Sequence, residues 1–211
     1  ITPQNGADGT RILVAEMRRR RIEQLEREAN GRVQESEFEY DEWGNLRRET
    51  RRGSGGATAL AGLFLQTDLR YAINAAAGPV NLTAERTVTG AGGELLGLER
   101  FHYDGPDSNG LPLGDATVGL LRRHCRLAFT DAMRQQFYPD ASEARLAQLG
   151  YRREADASGT AYWVDERRVD YDARGSMVRT LDQMGHAAQF EYDATGLPFA
   201  PPRAGFPGMP S

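Results

Sequence analysis

The sequence predicts a mainly β fold: an antiparallel meander of short hairpins that forms a curved sheet and carries one or two short helices. Three observations predict it. A unit of tyrosine, aspartate and, three residues after the aspartate, glycine recurs along the chain. In the C-terminal part, successive closing glycines are separated by about one strand and one turn. The 211 residues include 24 glycines and 10 prolines, and 39% are hydrophobic, which fits many turns and a thin core.

The repeated unit has the residue types of a hairpin corner. Tyr171-Asp172 is followed by Gly175, and Tyr192-Asp193 by Gly196. Aspartate opens a type I turn, because its carboxylate accepts a hydrogen bond from the backbone N–H two residues on. Glycine suits the left-handed position that closes a three-residue loop as a bulge. In Phe-x-Tyr the two aromatic side chains lie on one face of the strand that enters the turn.

Two further copies of the unit lie earlier in the chain. Residues 38–44 form one, and residues 101–104 the other, in which a longer loop at 105–110 replaces the turn. We predict a structural role in the turns for the repeated residues. They are Tyr40, Asp41, Gly44, Tyr103, Asp104, Tyr171, Asp172, Gly175, Tyr192, Asp193 and Gly196. Asp182 and Gly185 carry the same turn without the tyrosine.

The repeated aspartates are also candidates for a glycosidase pair. Such a pair needs two carboxylates with different environments and different pKa values. Asp41, Asp104, Asp172 and Asp193 instead occupy equivalent positions of the repeat. We therefore expect that the chain is not an enzyme, and we assign no catalytic, cofactor-binding or metal-binding residue.

Two short helices are expected. Residues 142–150 begin at an N-cap serine and end at Gly150, and residues 130–137 end before Pro139. Residues 15–28, AEMRRRRIEQLERE, have a helical composition but lead directly into Asn30-Gly31, a strong hairpin signal. We favour a strand that pairs 18–29 with 32–41, and keep a helix as the alternative.

The organisation follows from the same pattern. Residues 1–197 are expected to be one β-sheet segment with a flexible break at 53–56, and the proline-rich residues 198–211 an irregular tail. The chain begins at Ile1 without a methionine, which favours a fragment or a processed product. A net charge of −4 and a pI near 5.5 do not favour a nucleic-acid or membrane partner, and no apolar run is long enough for a membrane span.

The remaining chemistry-bearing residues are isolated. The lone Cys125 cannot form an intrachain disulfide, and His124 beside it would point to the opposite face of a strand, so they cannot share a metal. We expect structural roles for the three histidines, His102, His124 and His186. The run of arginines at 18–21 is flanked by glutamates, which favours a solvated or ion-paired stripe. The alternative is that these arginines line a cavity and touch an unfolded cargo.

Longer stretches resemble a known family. Gly185-His186-x-x-x-Phe190-x-Tyr192-Asp193-x-x-Gly196 is similar to the RHS repeat, also called the YD repeat, and residues 31–46 are a second match. The segment RFHYDGPDSNGLPLGDATVGLLRRHCRLAFTDAM (100–133), with LAQLGY (146–151), resembles the Tc-toxin B component of insecticidal toxin complexes. That component is related to the SpvB-type virulence proteins. The similarity is to the RHS region that follows the β-propeller of the B component.

The resemblance implies an architecture, partners and a location. RHS repeats form a long antiparallel sheet that spirals into a hollow shell, so the hairpins here would be a shell segment. In Tc toxins the B and C components build that shell around the toxic part of C, and a propeller in B docks on the pore-forming A component. The implied partners are a C-like component and its enclosed effector, and the implied location is secreted, within a larger bacterial toxin. Neither the propeller nor the aspartyl autoprotease motif of C has a counterpart in this sequence, so neither activity is carried over.

Two functions from different classes follow. The first is structural: a wall segment of an RHS-repeat shell that encapsulates and helps deliver a toxin polypeptide. The second is a YD-repeat module that binds carbohydrate or a neighbouring cell surface through exposed aromatic side chains. Neither needs a cofactor.

Overall fold

The structure is a computed structural model that describes the backbone of residues 2–5, 11–17, 20–27, 32–54, 64–156, 159–192 and 198–199. Across these residues the fold is mainly antiparallel β with two short helices, which confirms the predicted fold class. The chain divides into two compact units. The first comprises Ile1–Phe101 and Pro112–Gly119, and the second His102–Leu111 and Leu120–Ser211.

The first unit is a meander in which each strand pairs with the next along the chain. Its strands are β1 (Thr2–Asn5), β2 (Arg11–Met17), β3 (Arg20–Arg27), β4 (Arg32–Tyr40), β5 (Leu46–Ser54), β6 (Phe64–Ala72), β7 (Leu82–Thr89) and β8 (Leu95–Tyr103). The last two residues of β8 belong to the second unit. Register shifts occur at the ends of three of the pairs, where the strand approaches a corner.

The second unit is organised around its longest strand. Its elements are β9 (Leu121–Thr130), α1 (Asp131–Phe137), α2 (Glu143–Gln148), β10 (Tyr151–Asp156), β11 (Gly159–Tyr171), β12 (Met177–Leu181), β13 (Ala187–Gln189), β14 (Glu191–Tyr192) and β15 (Pro198–Phe199). Strand β11 pairs with β9 along one edge. Along its other edge it pairs first with β10, as far as Val164, and then with β12, from Arg168 onward.

The segment that was ambiguous in sequence is extended. Residues 15–17 end β2 and residues 20–27 form β3, so the helix alternative is wrong for these residues. The β3–β4 register runs from Arg20 opposite Glu39 to Arg27 opposite Arg32, which is the predicted hairpin. Pairing with two neighbouring strands outweighs the helical composition. Arg18, Arg19 and the Asn30-Gly31 turn lie outside the described residues.

Both predicted helices are present and begin with capping side chains. The hydroxyl of Thr130 accepts a hydrogen bond from the backbone N–H of Met133 at 3.3 Å. Ser142 accepts from the N–H of Arg145 at 3.2 Å. Each hydroxyl satisfies one of the N–H groups that a helix start leaves unpaired.

Helix α2 covers an aromatic core in the second unit. Phe129 of β9, Tyr162 of β11 and Leu146 of α2 are buried together, and Tyr151 packs against them. The ring of Phe129 stacks on that of Tyr162 with a centroid separation of 5.0 Å. This cluster joins the two strands to α2.

The predicted break and tail are only partly described. Gly53 and Ser54, the first half of the predicted break, end β5, and residues 55–63 lie outside the described residues. In the tail, Pro198 and Phe199 pair with Tyr192 and Glu191, where the composition predicted irregular chain. Proline is tolerated there because it is the first residue of the strand. Residues 200–211 are outside the described part.

Candidate functional site: hairpin corners and a charged sheet face

The corner at Asp41 shows how the repeated unit turns the chain. The backbone N–H of Asp41 donates to the carbonyl of Asn45 at 2.9 Å, and Gly44 N–H donates to the carbonyl of Asp41 at 3.2 Å. Oδ1 of Asp41 accepts from the backbone N–H groups of Trp43 and Asn45 at 2.9 and 2.8 Å. Gly44 has φ +81°, a left-handed conformation that residues with a Cβ rarely adopt. The carboxylate therefore satisfies two loop donors that have no strand partner.

The same corner recurs at Asp172 and at Asp182 in the second unit. In both, Oδ1 accepts from the backbone N–H groups two and four residues on, at 2.8 to 2.9 Å. The closing glycines, Gly175 and Gly185, have φ of +84° and +83°. Three corners thus share one arrangement, in which the aspartate is fully used as a structural acceptor.

A fourth corner uses a different residue for the same purpose. Between β7 and β8, Gly90 stands where the other corners have aspartate, and its N–H donates to the carbonyl of Glu94 at 3.0 Å. The carboxylate of Glu94 accepts from Gly92 N–H at 2.8 Å. A Cβ on Gly90 would lie 2.0 Å from Oε1 of Glu94, so that carboxylate fills the aspartate's place.

The predicted equivalence of the four aspartates is wrong for Asp104. Asp104 is 5% exposed and has φ +54°. Its N–H donates to the carbonyl of Leu120 at 2.7 Å, and its Oδ1 accepts from Leu120 N–H at 2.9 Å. The long insertion after Tyr103 moves the next strand away, so Asp104 bonds to the residue at which the chain returns. Asp193 and Gly196 lie outside the described residues.

The corner hydrogen bonds stabilise the ionised form of their aspartates. Burial opposes the charge of Asp41, but hydrogen bonds from the Asn45 side chain and from three backbone N–H groups outweigh it and lower the pKa of Asp41. In the Asp182 corner the His186 side chain, whose Nδ1 lies 3.0 Å from Oδ2, is the main cause of a lowered pKa of Asp182. Both carboxylates are therefore ionised at neutral pH.

Asp41→Asn is expected to lower the free energy of unfolding at pH 7 by about 1 kcal/mol or less, because the loop is exposed to solvent. The pKa of Asp41 is lower in the folded chain than its ordinary value of 3.8. Its contribution is therefore present above the unfolded-state pKa and is lost as the pH falls through the folded-state pKa. Urea unfolding of both proteins at pH 7 and at about pH 3 should show a difference that shrinks in acid. A difference that is equal at both pH values would contradict the charge effect.

The tyrosine of the unit has a second role that the sequence did not indicate. Three tyrosine hydroxyl groups donate to the carbonyl of a residue that begins an earlier strand. The pairs are Tyr71 with Leu46 at 2.9 Å, Tyr171 with Leu121 at 3.0 Å, and Tyr192 with Met177 at 2.7 Å. Burial raises the pKa of the Tyr71 and Tyr171 hydroxyls, so they stay protonated as donors. Each tyrosine ties its own corner to the start of an earlier strand.

Tyr71 belongs to a diverged unit that the sequence reasoning missed. Three residues after it, Asn74 takes the aspartate's place: its N–H donates to the carbonyl of Pro79 at 2.7 Å and its carbonyl accepts from Gly78 N–H at 2.9 Å. Gly78 has φ +111°. The signal was a tyrosine followed by asparagine and then glycine, with spacings different from those of the other copies.

Tyr171→Phe is expected to lower the free energy of unfolding of the second unit by about 0.5–1.5 kcal/mol, the net worth of one hydrogen bond. The ring keeps its packing, while the Leu121 carbonyl loses its donor. Urea unfolding measures the effect. Tyr138→Phe is the matched control, since Tyr138 is 57% exposed. Equal effects of the two substitutions would count against a specific role of the Tyr171 hydroxyl.

One face of the first unit's sheet is a ladder of charged and polar side chains. Residues at alternate positions of β4 to β8 share this face, because their registers are in phase. Arg48 Nε lies 2.6 Å from Oδ1 of Asp68 on the neighbouring strand. Glu85 is buried between Arg70 at 3.4 Å and Arg100 at 3.0 Å. Ion pairs across strands, rather than an apolar layer, therefore join the strands on this face.

The isolated histidines and the cysteine keep separate surroundings. His124 lies opposite Arg167 in the β9–β11 register, while Cys125 lies opposite Asp165 and is fully buried. Within the described ranges, no group of three or more His, Cys, Asp or Glu side chains is placed to hold a metal ion. Neither of the helices in the described part has the length and apolar character of a membrane span.

Comparison with known proteins gives a likeness of fold. No protein-family model and no curated protein matches the chain. Nine chains of solved structures match it. One is in the crystal structure of TcdB2-TccC3-TEV, a Tc toxin complex, with a TM-score of 0.52 and 12% sequence identity. The match covers 85% of this chain and 13% of that chain, so a Tc-toxin-like fold is what the likeness shows.

Proposed function

We propose that this chain is a wall segment of an RHS-repeat shell that encapsulates and helps deliver a toxin polypeptide, in the manner of a Tc-toxin B component. The observation that carries the proposal is the fold likeness to TcdB2-TccC3-TEV, which extends over 85% of the chain. The resemblance of residues 100–133 to the B component supports the same assignment.

The way in which the strands turn and are joined supports a role as a wall segment. The corners at Asp41, Asp172 and Asp182 need only local residues, because an aspartate and a glycine complete each of these three turns. Tyrosine hydroxyl groups then tie corners to earlier strands. On the charged face of the first unit, ion pairs rather than apolar packing join neighbouring strands. A sheet of this kind keeps its register with side chains that tolerate water, as a wall exposed to solvent requires.

The proposed partners are a C-like component and the effector that the shell would enclose. The proposed location is outside the producing cell, as part of a larger secreted toxin. In a B component the propeller docks on the pore-forming component, and that docking is not proposed for this chain. The proposal gives the chain a structural role and no catalytic one.

Co-expression of the full-length protein that contains this segment with its C-like partner tests the proposal. We expect a large stable complex whose effector resists added protease, while the effector expressed alone is digested. If the effector in the complex is digested as readily as free polypeptide, the proposal fails.

A charge-swap series tests whether the ladder holds the wall. In the native chain, Nε of Arg48 lies 2.6 Å from Oδ1 of Asp68. Arg48→Asp replaces this ion pair with two neighbouring carboxylates. We expect the single variant to assemble poorly and Arg48→Asp with Asp68→Arg to recover, because the swap restores opposite charges. Failure of the double variant to recover would show that the pair is not what holds these strands.

Carbohydrate binding remains a second candidate because of one concave site in the first unit. The indole of Trp43 is 46% exposed, and with Tyr40, Ile73, Arg47 and Glu39 it lines a cleft of about 580 Å³. An aromatic face beside charged hydrogen-bonding groups suits a sugar ring. A glycan array should detect binding, and Trp43→Ala should abolish it. Phe137→Ala is the control, since Phe137 is a 60% exposed ring outside the cleft, and it should leave the binding intact. Absence of binding to any glycan removes this candidate.

A further inference from the structure

The cleft lined by Trp43, called the Trp43 cleft from here on, holds more carboxylates than cations. Its charged lining residues are three carboxylates and one cation, namely Glu39, Asp41, Glu42 and Arg47. In the registers of its two neighbouring strands Glu39 lies opposite Arg20 and opposite Arg48, so it has a cationic residue on either side. The other two carboxylates have only Arg47 against them, which leaves the cleft one negative charge in excess.

The hydrogen bonds of Asp41 hold its charge without neutralising it. Its donors are the backbone N–H groups of Trp43 and Asn45 and the side-chain amide of Asn45, at 2.8 to 2.9 Å. These neutral donors favour the ionised carboxylate but bring no positive charge. Burial, and then the negative charge of Asp41, raise the pKa of the nearby Tyr71 hydroxyl. The Asp41 corner therefore gives the wall of the cleft a fixed negative charge.

The exposed part of the cleft joins a carboxylate to an aromatic ring. Glu42 and Trp43 are the two central residues of the turn that Asp41 opens, and both are exposed, Trp43 by 46%. The face of an indole attracts a cation placed over it, and a neighbouring carboxylate adds to that attraction. This part of the cleft therefore favours a positively charged group over a neutral one.

We propose that the Trp43 cleft binds an amino sugar, a carbohydrate that carries a protonated amino group. The proposal rests on the second candidate function, carbohydrate binding at this cleft, and is independent of the wall. The sugar ring lies against the indole, and its ammonium group donates to the carboxylate of Glu42 within the field of Asp41. The volume of about 580 Å³ is within the usual range of ligand sites, roughly 300–1,000 Å³.

Binding of matched oligosaccharides to the intact chain tests the proposal. Isothermal titration at low salt and pH 6, where the sugar amines are protonated, compares the trimer of glucosamine with the trimer of N-acetylglucosamine. The two differ only in the acetyl groups, which remove the positive charges. We expect the glucosamine trimer to bind about tenfold more tightly, as one cation–π contact and one exposed ion pair together provide.

Two substitutions with opposite expected signs locate the effect in the cleft. Glu42→Gln removes a carboxylate and should weaken binding of the glucosamine trimer about threefold. Arg47→Gln removes the opposing cation and should strengthen it about threefold. Glu35→Gln is the matched control and should change neither affinity, since Glu35 lies on β4 outside the lining of the cleft and its side chain is 42% exposed.

Three results would overturn the proposal. The first is equal or tighter binding of the N-acetylated trimer, which leaves carbohydrate binding standing and removes only the amino-sugar class. The second is an equal loss in Glu35→Gln and Glu42→Gln, which indicates attraction to the net charge of −4 rather than to the cleft. The third is trilysine binding as tightly as the glucosamine trimer, which indicates recognition of charge without a sugar. Absence of binding to either trimer removes both the amino sugar and the carbohydrate candidate, while the wall is tested separately by the protection of the effector from protease.

Discussion

Phe129→Ala is expected to lower the free energy of unfolding of the second unit by about 3–5 kcal/mol, the usual cost of removing a buried phenylalanine ring. The Phe129 ring contacts three others, with centroid separations of 5.0 Å to Tyr162, 5.2 Å to Tyr151 and 5.9 Å to Tyr138. No single neighbour can fill the space that the ring leaves. Because a domain is stable by only about 5–15 kcal/mol, the variant should unfold at a much lower urea concentration.

The two tryptophans allow this unit to be followed separately. Trp163 is 2% exposed and lies in the second unit, whereas Trp43 lies in the first. In a Trp43→Phe background, the fluorescence of Trp163 reports unfolding of the second unit alone. Phe137→Ala is the control, since Phe137 is 60% exposed on α1 and its loss should change stability by about 0.5 kcal/mol or less. Equal losses from the two substitutions would mean that Phe129 is not part of a packed core.

Features that depend on neighbouring residues were predictable from sequence. The corners at Asp41 and Asp172 depend on a carboxylate and a glycine within five residues, so the spacing alone indicated them. Both helices were indicated by their caps and ends, which are equally local. The strand at residues 20–27 was favoured by the hairpin signal that follows it, although its own composition favours a helix.

Features that depend on strand register were not predictable. Asp104 follows a tyrosine like the other aspartates, but its partner, Leu120, lies at the far end of a loop whose path no local pattern specifies. The tyrosine hydroxyls reach carbonyl groups 15 to 50 residues away in sequence. Arg152 and Asp165 likewise meet, at 3.3 Å, because β10 pairs with β11. Sequence indicated where the chain turns, and the registers decided which side chains meet.

The hydrogen bonds of the corners explain why the repeated unit tolerates changes in its sequence. Glu94 replaces an aspartate from the opposite end of its loop, and Asn74 replaces one in a longer loop. What each corner requires is an acceptor for loop N–H groups and a residue with positive φ, and not a particular sequence.

Gly150→Ala is expected to lower the free energy of unfolding of the second unit by about 2–5 kcal/mol. Gly150 follows α2 with φ +80°, where any side chain is strained. A Cβ there would also lie 2.6 Å from the carbonyl oxygen of Gln183. That oxygen is backbone, and the Gln183 side chain in turn donates to the carbonyl of Leu149 at 2.7 Å, so the contact cannot relax by rotation of a side chain alone.

Gly175→Ala separates the two causes. Gly175 has φ +84°, nearly the same as Gly150, but a Cβ there would meet nothing closer than 3.9 Å, at the Leu120 side chain. It should lose only the conformational part, about 1–2 kcal/mol. Urea unfolding followed by Trp163 fluorescence in the Trp43→Phe background gives both values. Because the conformational cost is common to both variants, their difference measures the crowding between α2 and the Asp182 corner, and a difference of zero would mean that the end of α2 is not held against Gln183.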